Sequence, residues 1–397
     1  MPTNVCFLSK SRARERRSTR MQVTRRLLLM APLIAAPALL LPRAAASRLL
    51  WPGSRFTDAD KARAIANGVR FMDGIARNPE HFAEWGSDLL WWFYTLAVTP
   101  ADLALRRVGR QSGRERAAQW RRANPVVPAD ADAEAISDLV SGSYTADLLG
   151  VRDDRMKHDL RRAARRFGPK DYLQFDPTRE SFPSNIPEDC DDCKSSGSDA
   201  RRKCDRCRAE AAFKSPYDVL CDAVITTYTG DRYGVRLGAG FADVTQWLPR
   251  LRPYPAFKEA DAEFYSVAYA ITHVIYTFND YGSSRLQPEW LSDEFAFLKS
   301  HLPLNIAADD AETMGEFLDT LKSFGLTEDD PLIRSGIEFV LSRQNADGSW
   351  GDPNEPEIYP RYHSTWTAIN GLMDYAWPRG VGVSFPEALR RARKTAA

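Results

Sequence analysis

Four cysteines spaced as Cys190-x2-Cys193-x10-Cys204-x2-Cys207 carry the most specific chemical pattern in this chain. Two Cys-x2-Cys hooks can present four thiolates tetrahedrally to a structural zinc ion. In an oxidising compartment the same four can close two disulfides, or serve as a redox pair. A second set is scattered. Of the five histidines, His273 and His363 are embedded in the apolar, aromatic stretches Tyr269 to Tyr281 and Tyr359 to Tyr375, where a buried imidazole needs partners. Asp222 follows Cys221 in a comparable apolar stretch, 217–225. One carboxylate and two imidazoles from three helices make a set suited to zinc, iron or copper with open positions, with Cys221 as an alternative ligand. Asp280 lies seven residues beyond His273, roughly 10 Å along a helix and too far to share an ion. It and Tyr276 are therefore expected to face the substrate as catalytic groups. The structural alternative has both histidines simply bonded to Tyr and Thr hydroxyls in the core. His81, His158 and His301 read as surface or cap residues.

Such groups need elements to hold them. Thr57 is a plausible N-cap for a helix running to Ile75, and helical periodicity continues near 80–98, 131–142 and 154–166. The run Leu89-Leu90-Trp91-Trp92-Phe93-Tyr94 is apolar on every face, as in a helix sunk in a core. Nothing alternates with period two, so the expected class is all-α. Between 168 and 208, Gly168, Pro169, Pro177, Pro183 and Pro187 interrupt helices where the cysteines cluster, which predicts an ordered Cys-rich loop. It separates an N-terminal helical region, 47–167, from a C-terminal one, 209–397.

The C-terminal region repeats. Tyr228-Thr229-Gly230-Asp231-Arg232-Tyr233-Gly234 overlays Tyr276-Thr277-Phe278-Asn279-Asp280-Tyr281-Gly282, 48 positions later, and each block ends an apolar helix at Gly. Helices over Glu312 to Phe324, Pro331 to Gln344 and Tyr359 to Trp377 follow. Within this series, the segment from Gly336-Ile337-Glu338-Phe339 through Gln344 to Gly348-Ser349-Trp350 resembles the QW motif of squalene and hopene cyclases and of protein prenyltransferase β subunits.

The resemblance spans about 216–378. It implies an (α/α) toroid or barrel of helix pairs around a deep apolar cavity, in which the Gln ties a helix end to its neighbour and the Trp stacks over the turn. It also implies an apolar, isoprenoid-like substrate. Prenyltransferases of this fold hold zinc with an Asp, a Cys and a His, at a spacing unlike Cys221-Asp222. Asp189-Cys190-Asp191-Asp192 matches the Asp-x-Asp-Asp acid motif of proton-initiated cyclases. In a Pro-bounded loop its carboxylates are expected to be solvated and ordinary in pKa, unsuited to donate a proton.

Charge narrows the classes further. Residues 1–46 hold nine basic groups against Glu15 alone, so they carry +8; the whole chain is +1, which leaves −7 for the rest. An acidic body argues against nucleic acid as a partner. The basic stretch, the apolar run Leu27 to Leu41 and Ala44-Ala45-Ala46 read as a bacterial export signal, with Thr24 to Leu28 resembling the twin-arginine type. The expected location is periplasmic or secreted, with membrane contact through that segment only. No Gly-x-Ser-x-Gly elbow and no phosphate-cradling Gly-rich loop after a strand is present. The leading expectation is a metal-dependent enzyme acting on an apolar small molecule. The alternatives are a non-catalytic lipid- or protein-binding toroid and a divergent terpene cyclase, the last requiring an acid buried in the cavity.

Overall fold

The computed structural model describes residues 56–179, 186 and 213–393. The four hook cysteines, Asp189 to Asp192 and the expected export segment lie outside the described residues. Among the described residues regular structure is helical, and no strand forms. The first half contains α1 (Asp58–Arg77), α2 (Pro79–Val98), α3 (Leu103–Ala123), α4 (Ala133–Leu148), α5 (Asp154–Ala164) and α6 (Pro169–Leu173). The second contains α7 (Pro216–Tyr233), α8 (Phe241–Thr245), α9 (Ala262–Phe278), α10 (Ser292–Ala307), α11 (Ala311–Ser323), α12 (Pro331–Ser342), α13 (Ile358–Leu372) and α14 (Pro386–Ala392).

Short polar residues start most of the long helices by accepting from backbone N–H groups that have no partner within the helix. Thr57 forms a reciprocal capping box with Asp60 at the head of α1, and Asn78, Asp132, Asp261 and Asp310 cap α2, α4, α9 and α11. The expected boundaries hold to within a few residues for α1, α2, α5, α11 and α12. Three differences stand out. α13 ends at Leu372, five residues before the expected Trp377, because Met373 turns extended at its C-cap. His301, expected at a helix end, is buried inside α10, its Nδ1 facing the Phe297 carbonyl at 2.9 Å and its Nε2 accepting from the Phe257 N–H at 3.1 Å. The third is α3, which the apolar periodicity does not announce. Its buried residues are Gly109, Gly113, Ala117 and Trp120, a face of mostly small residues at four-residue spacing that lets α2 come close.

Packing follows a simple succession. α2 lies against α3 and α4, α4 against α7, α7 against α9, α9 against α11, and α11 against α13. α13 in turn rests on α1, which rests on α2, and the Tyr362 hydroxyl of α13 donates to Asp88 of α2 at 3.1 Å. The closest approach is between α11 and α13. A Cβ built on Gly315 would stand 2.4 Å from the backbone C and O of Thr367, atoms that cannot step aside. Gly315→Ala is therefore expected to force the two helices apart and to lower stability by about 1–3 kcal/mol, read as a lower urea midpoint with unchanged m-value.

The segment after α12 behaves as a clasp. Gln344 Nε2 donates to the Ala64 carbonyl in α1 at 2.8 Å and to the Gly348 carbonyl at 3.0 Å. The fully buried Trp350 donates its indole N–H to the Val340 carbonyl at 2.7 Å. Gly348 sits at φ +90°, and a Cβ there would meet the Asn67 carbonyl at 2.8 Å, so the turn requires glycine. Among the described residues no helix is long and apolar enough to cross a membrane.

Candidate functional site

Six helices, α2, α4, α7, α9, α11 and α13, contribute to the lining of one cavity. Their contributions follow helical spacing. Asp88, Trp91 and Thr95 are successive turns of α2, and His363, Trp366 and Asn370 are successive turns of α13. The walls are strongly aromatic, with Trp91, Tyr276, Tyr281, Trp366 and Tyr375. Asp88, Glu316 and Asp319 supply carboxylates, His273 and His363 imidazoles, and no lysine or arginine is among the described lining residues.

α11 holds the chemistry. Glu312, Glu316 and Asp319 are spaced four and three residues apart, which puts all three on one face. Glu312 accepts from the Tyr269 hydroxyl at 2.6 Å and from the Ser364 hydroxyl at 2.9 Å, and pairs with His363 Nδ1 at 2.8 Å. Burial opposes its charge, but His363, Tyr269 and Ser364 together hold its carboxyl below the ordinary range. For His363 burial likewise disfavours the charged ring, and Glu312 outweighs it and raises the pKa. Glu316, 1 % exposed, accepts from Thr272 Oγ1 at 2.6 Å; burial pushes its pKa up while His273 and His363 pull it back.

Asp319 is the most unusual group. It is 3 % exposed, and its Oδ1 has no hydrogen-bond partner. Burial pushes its pKa up to about 7, with Glu316 adding to the rise and Tyr375, Lys322 and Tyr276 opposing it. A carboxyl in this state keeps a large protonated fraction near neutral pH, as a proton donor needs.

The residues expected from the sequence divide. His273, His363 and Tyr276 line the cavity. His273 Nδ1 faces the Tyr269 carbonyl at 2.9 Å, which can only accept, so the proton sits on Nδ1. Burial opposes the charged form of this ring, but Cys221, in side-chain contact with it, and Glu316 push its pKa up to about 10. Cys221 is completely buried between α7 and α9, its Sγ 3.8 Å from that same carbonyl. Asp222 is not brought to the histidines. One residue on from Cys221 it points about 100° round α7, pairs with Lys214 at 3.2 Å and does not line the cavity. Glu316 occupies the place beside the imidazoles that Asp222 was expected to fill. Among the described residues no three His, Cys, Asp or Glu side chains are grouped to hold a metal ion.

Asp280 differs from expectation as well. α9 ends at Phe278, and Asp280 and Tyr281 adopt left-handed backbone conformations, φ +57° and +49°. The Asp280 carboxylate accepts from the Tyr228 hydroxyl, from Arg232 Nη2 at 3.2 Å and from Arg379, and it does not line the cavity. It fixes the strained turn that aims Tyr281 inward. Glu316 and Asp319 are missing from the sequence reading because the three acids at helical spacing lie on the face of α11 opposite Phe317, Leu318 and Leu321, where an amphipathic helix ordinarily meets solvent. No family model, no curated protein and no solved structure matches this chain.

Proposed function

We propose that this chain is an enzyme of (α/α) toroid architecture that encloses an apolar, isoprenoid-like substrate and acts on it by proton transfer from Asp319, in the manner of a divergent terpene cyclase. Support for the toroid comes from the succession of helix contacts returning from α13 through α1 to α2, and from six helices lining one cavity. The observation that carries the function is the buried Asp319 with an unpartnered oxygen in an aromatic-walled space. Protonating an alkene or an epoxide creates positive charge on carbon. The faces of Trp91, Trp366, Tyr276 and Tyr281 attract cations without being nucleophiles that would trap them. Carboxylates without lysine or arginine would repel a diphosphate, which favours an uncharged substrate.

A second reading rests on His273 and His363. Each ring has its Nδ1 engaged, by Tyr269 and Glu312 respectively, as outer-shell partners commonly do for ligand imidazoles. The two imidazoles are the ligands this reading offers to zinc, iron or copper, the described residues grouping no third one with them, and the ion would supply Lewis-acid or oxygen-activating chemistry. Metal analysis of the wild type and His273→Ala separates the readings: equal contents leave any ion to the cysteine hooks. Residues 1–46 are the sole support for a periplasmic or secreted location.

The test uses linear isoprenoid alkenes and terminal epoxides of increasing length incubated with the purified chain in D₂O. The expected result is a product carrying one new carbon-bound deuterium, with Asp319→Asn reducing its formation by about 10²–10⁴-fold. Turnover undiminished in Asp319→Asn, or no turnover of any member of the series, would overturn the proposal.

A further inference from the structure

An acid that gives its proton to carbon must be recharged. Asp319 is enclosed, but one neighbour reaches outside. Tyr375 lines the inner cavity and also a second pocket, lined by Lys322, Glu328, Asp329, Asp374 and Trp377 among others. It is the described residue common to both linings, so its side chain is the partition between them. The partition is held firmly. The Tyr375 ring stacks on Trp377 at 4.7 Å and 21°, and a Cβ on Gly282 would lie 2.7 Å from Tyr375 Cε1. The strand of chain carrying it is pinned by the Ala101 N–H to the Asp374 carbonyl at 2.7 Å and by the Ala376 N–H to the Thr99 carbonyl at 2.8 Å.

We propose that Tyr375 is a positioning residue that passes protons from the outer pocket to Asp319. The inference rests on the acid role given to Asp319. Its hydroxyl interacts with the Asp319 carboxyl and donates to the Asn370 carbonyl at 3.4 Å, a long bond that it exchanges for the carboxyl during transfer. In the transfer, the phenol O–H bond breaks as an O–H bond forms on the Asp319 carboxylate, and the phenol oxygen takes a proton from a water of the outer pocket in the same motion, breaking that water's O–H bond and leaving hydroxide to bulk solvent. One proton moves inward, none is created, and no free phenolate forms, which burial would penalise. The charged and titratable groups facing Asp319 are Tyr276 from α9, Glu316 and Lys322 from α11, and Tyr375. Lys322 Nζ is committed to the Gly371 and Met373 carbonyls at 2.6 and 3.1 Å, so it holds the wall rather than carrying the proton. Outside, Glu328 and Asp374 both pair with Lys61 and provide acceptors that order water at the mouth.

The test needs no substrate. Infrared spectra of the full chain should show a carboxylic-acid carbonyl band that is absent in Asp319→Asn. After rapid dilution into D₂O, this band should shift at least about tenfold more slowly in Tyr375→Phe than in the wild type. Trp377→Ala, which keeps the hydroxyl and widens the outer pocket, should exchange at least as fast as wild type. A merely structural tyrosine would alter the melting temperature and leave the exchange rate unchanged. Wild-type exchange in Tyr375→Phe overturns the relay alone. Slowed exchange in Trp377→Ala does the same should Tyr375→Phe fail to fold. A band that persists in Asp319→Asn overturns the acid role beneath it.

Discussion

Glu312→Ala is expected to cost about 3–5 kcal/mol, because truncating one side of a buried charge pair leaves the other side uncompensated. Three groups lose their acceptor at once, His363, Tyr269 and Ser364, and they belong to α9 and α13, two of the helices packed on α11. The pH dependence has a definite sign. Glu312 is held below its ordinary 4.5, so its contribution is present above that value and lost as pH falls through the folded pKa. His363 is held above its ordinary 6.5, so its contribution is complete below that value and lost as pH rises through the folded pKa. The difference between wild type and variant should therefore be largest between these ordinary values and shrink on either side. Glu312→Gln, which keeps hydrogen bonds but no charge, should cost about 1–2 kcal/mol. Urea midpoints at a series of pH values measure both; an alanine variant as stable as the glutamine one would contradict the ion-pair account.

Asp319→Asn should do the opposite to stability. A carboxyl raised from 3.8 to about 7 by burial favours the fold while protonated and penalises it once ionised. The wild type should lose stability as pH rises from the lower value through the upper one, by roughly 4 kcal/mol in full. The amide cannot ionise and escapes this loss. At pH 3, below both values, the two proteins should melt nearly together; at pH 8 the variant should melt higher, by about 5 °C for a chain of this size. A gain in stability accompanied by loss of turnover is the signature of a group kept for chemistry against the interest of the fold. Equal melting at pH 8 would show that Asp319 titrates like an exposed carboxylate, and the proposed acid would be lost.

Much of this architecture is legible from periodicity, since α1, α2, α9, α11 and α13 each bury an apolar face or are apolar throughout. α3 is not, because glycine packs by what it lacks. The cavity histidines and Tyr276 are legible because an imidazole in an aromatic helix is conspicuous. Asp222 misleads for a local reason: it adjoins Cys221, and a one-residue step on a helix turns a side chain to a different neighbour, here Lys214. Asp280 misleads because the helix stops two residues before it. The acids of α11 were visible as letters, yet nothing short of knowing which face turns inward distinguishes Glu316 and Asp319 from the solvated carboxylates common on helices.

The hydrogen bond from Gln344 to Ala64 spans 280 positions, and this has a bearing on how the chain is made. When α1 leaves the ribosome, the face it is destined to bury against α13 has no counterpart, and it gains one only after most of the polypeptide has been synthesised. Contacts of such long sequence separation form slowly, because loop closure must precede any reward. Deletion of the last quarter should thus yield not a smaller stable protein but an open chain with greasy early helices, prone to aggregate.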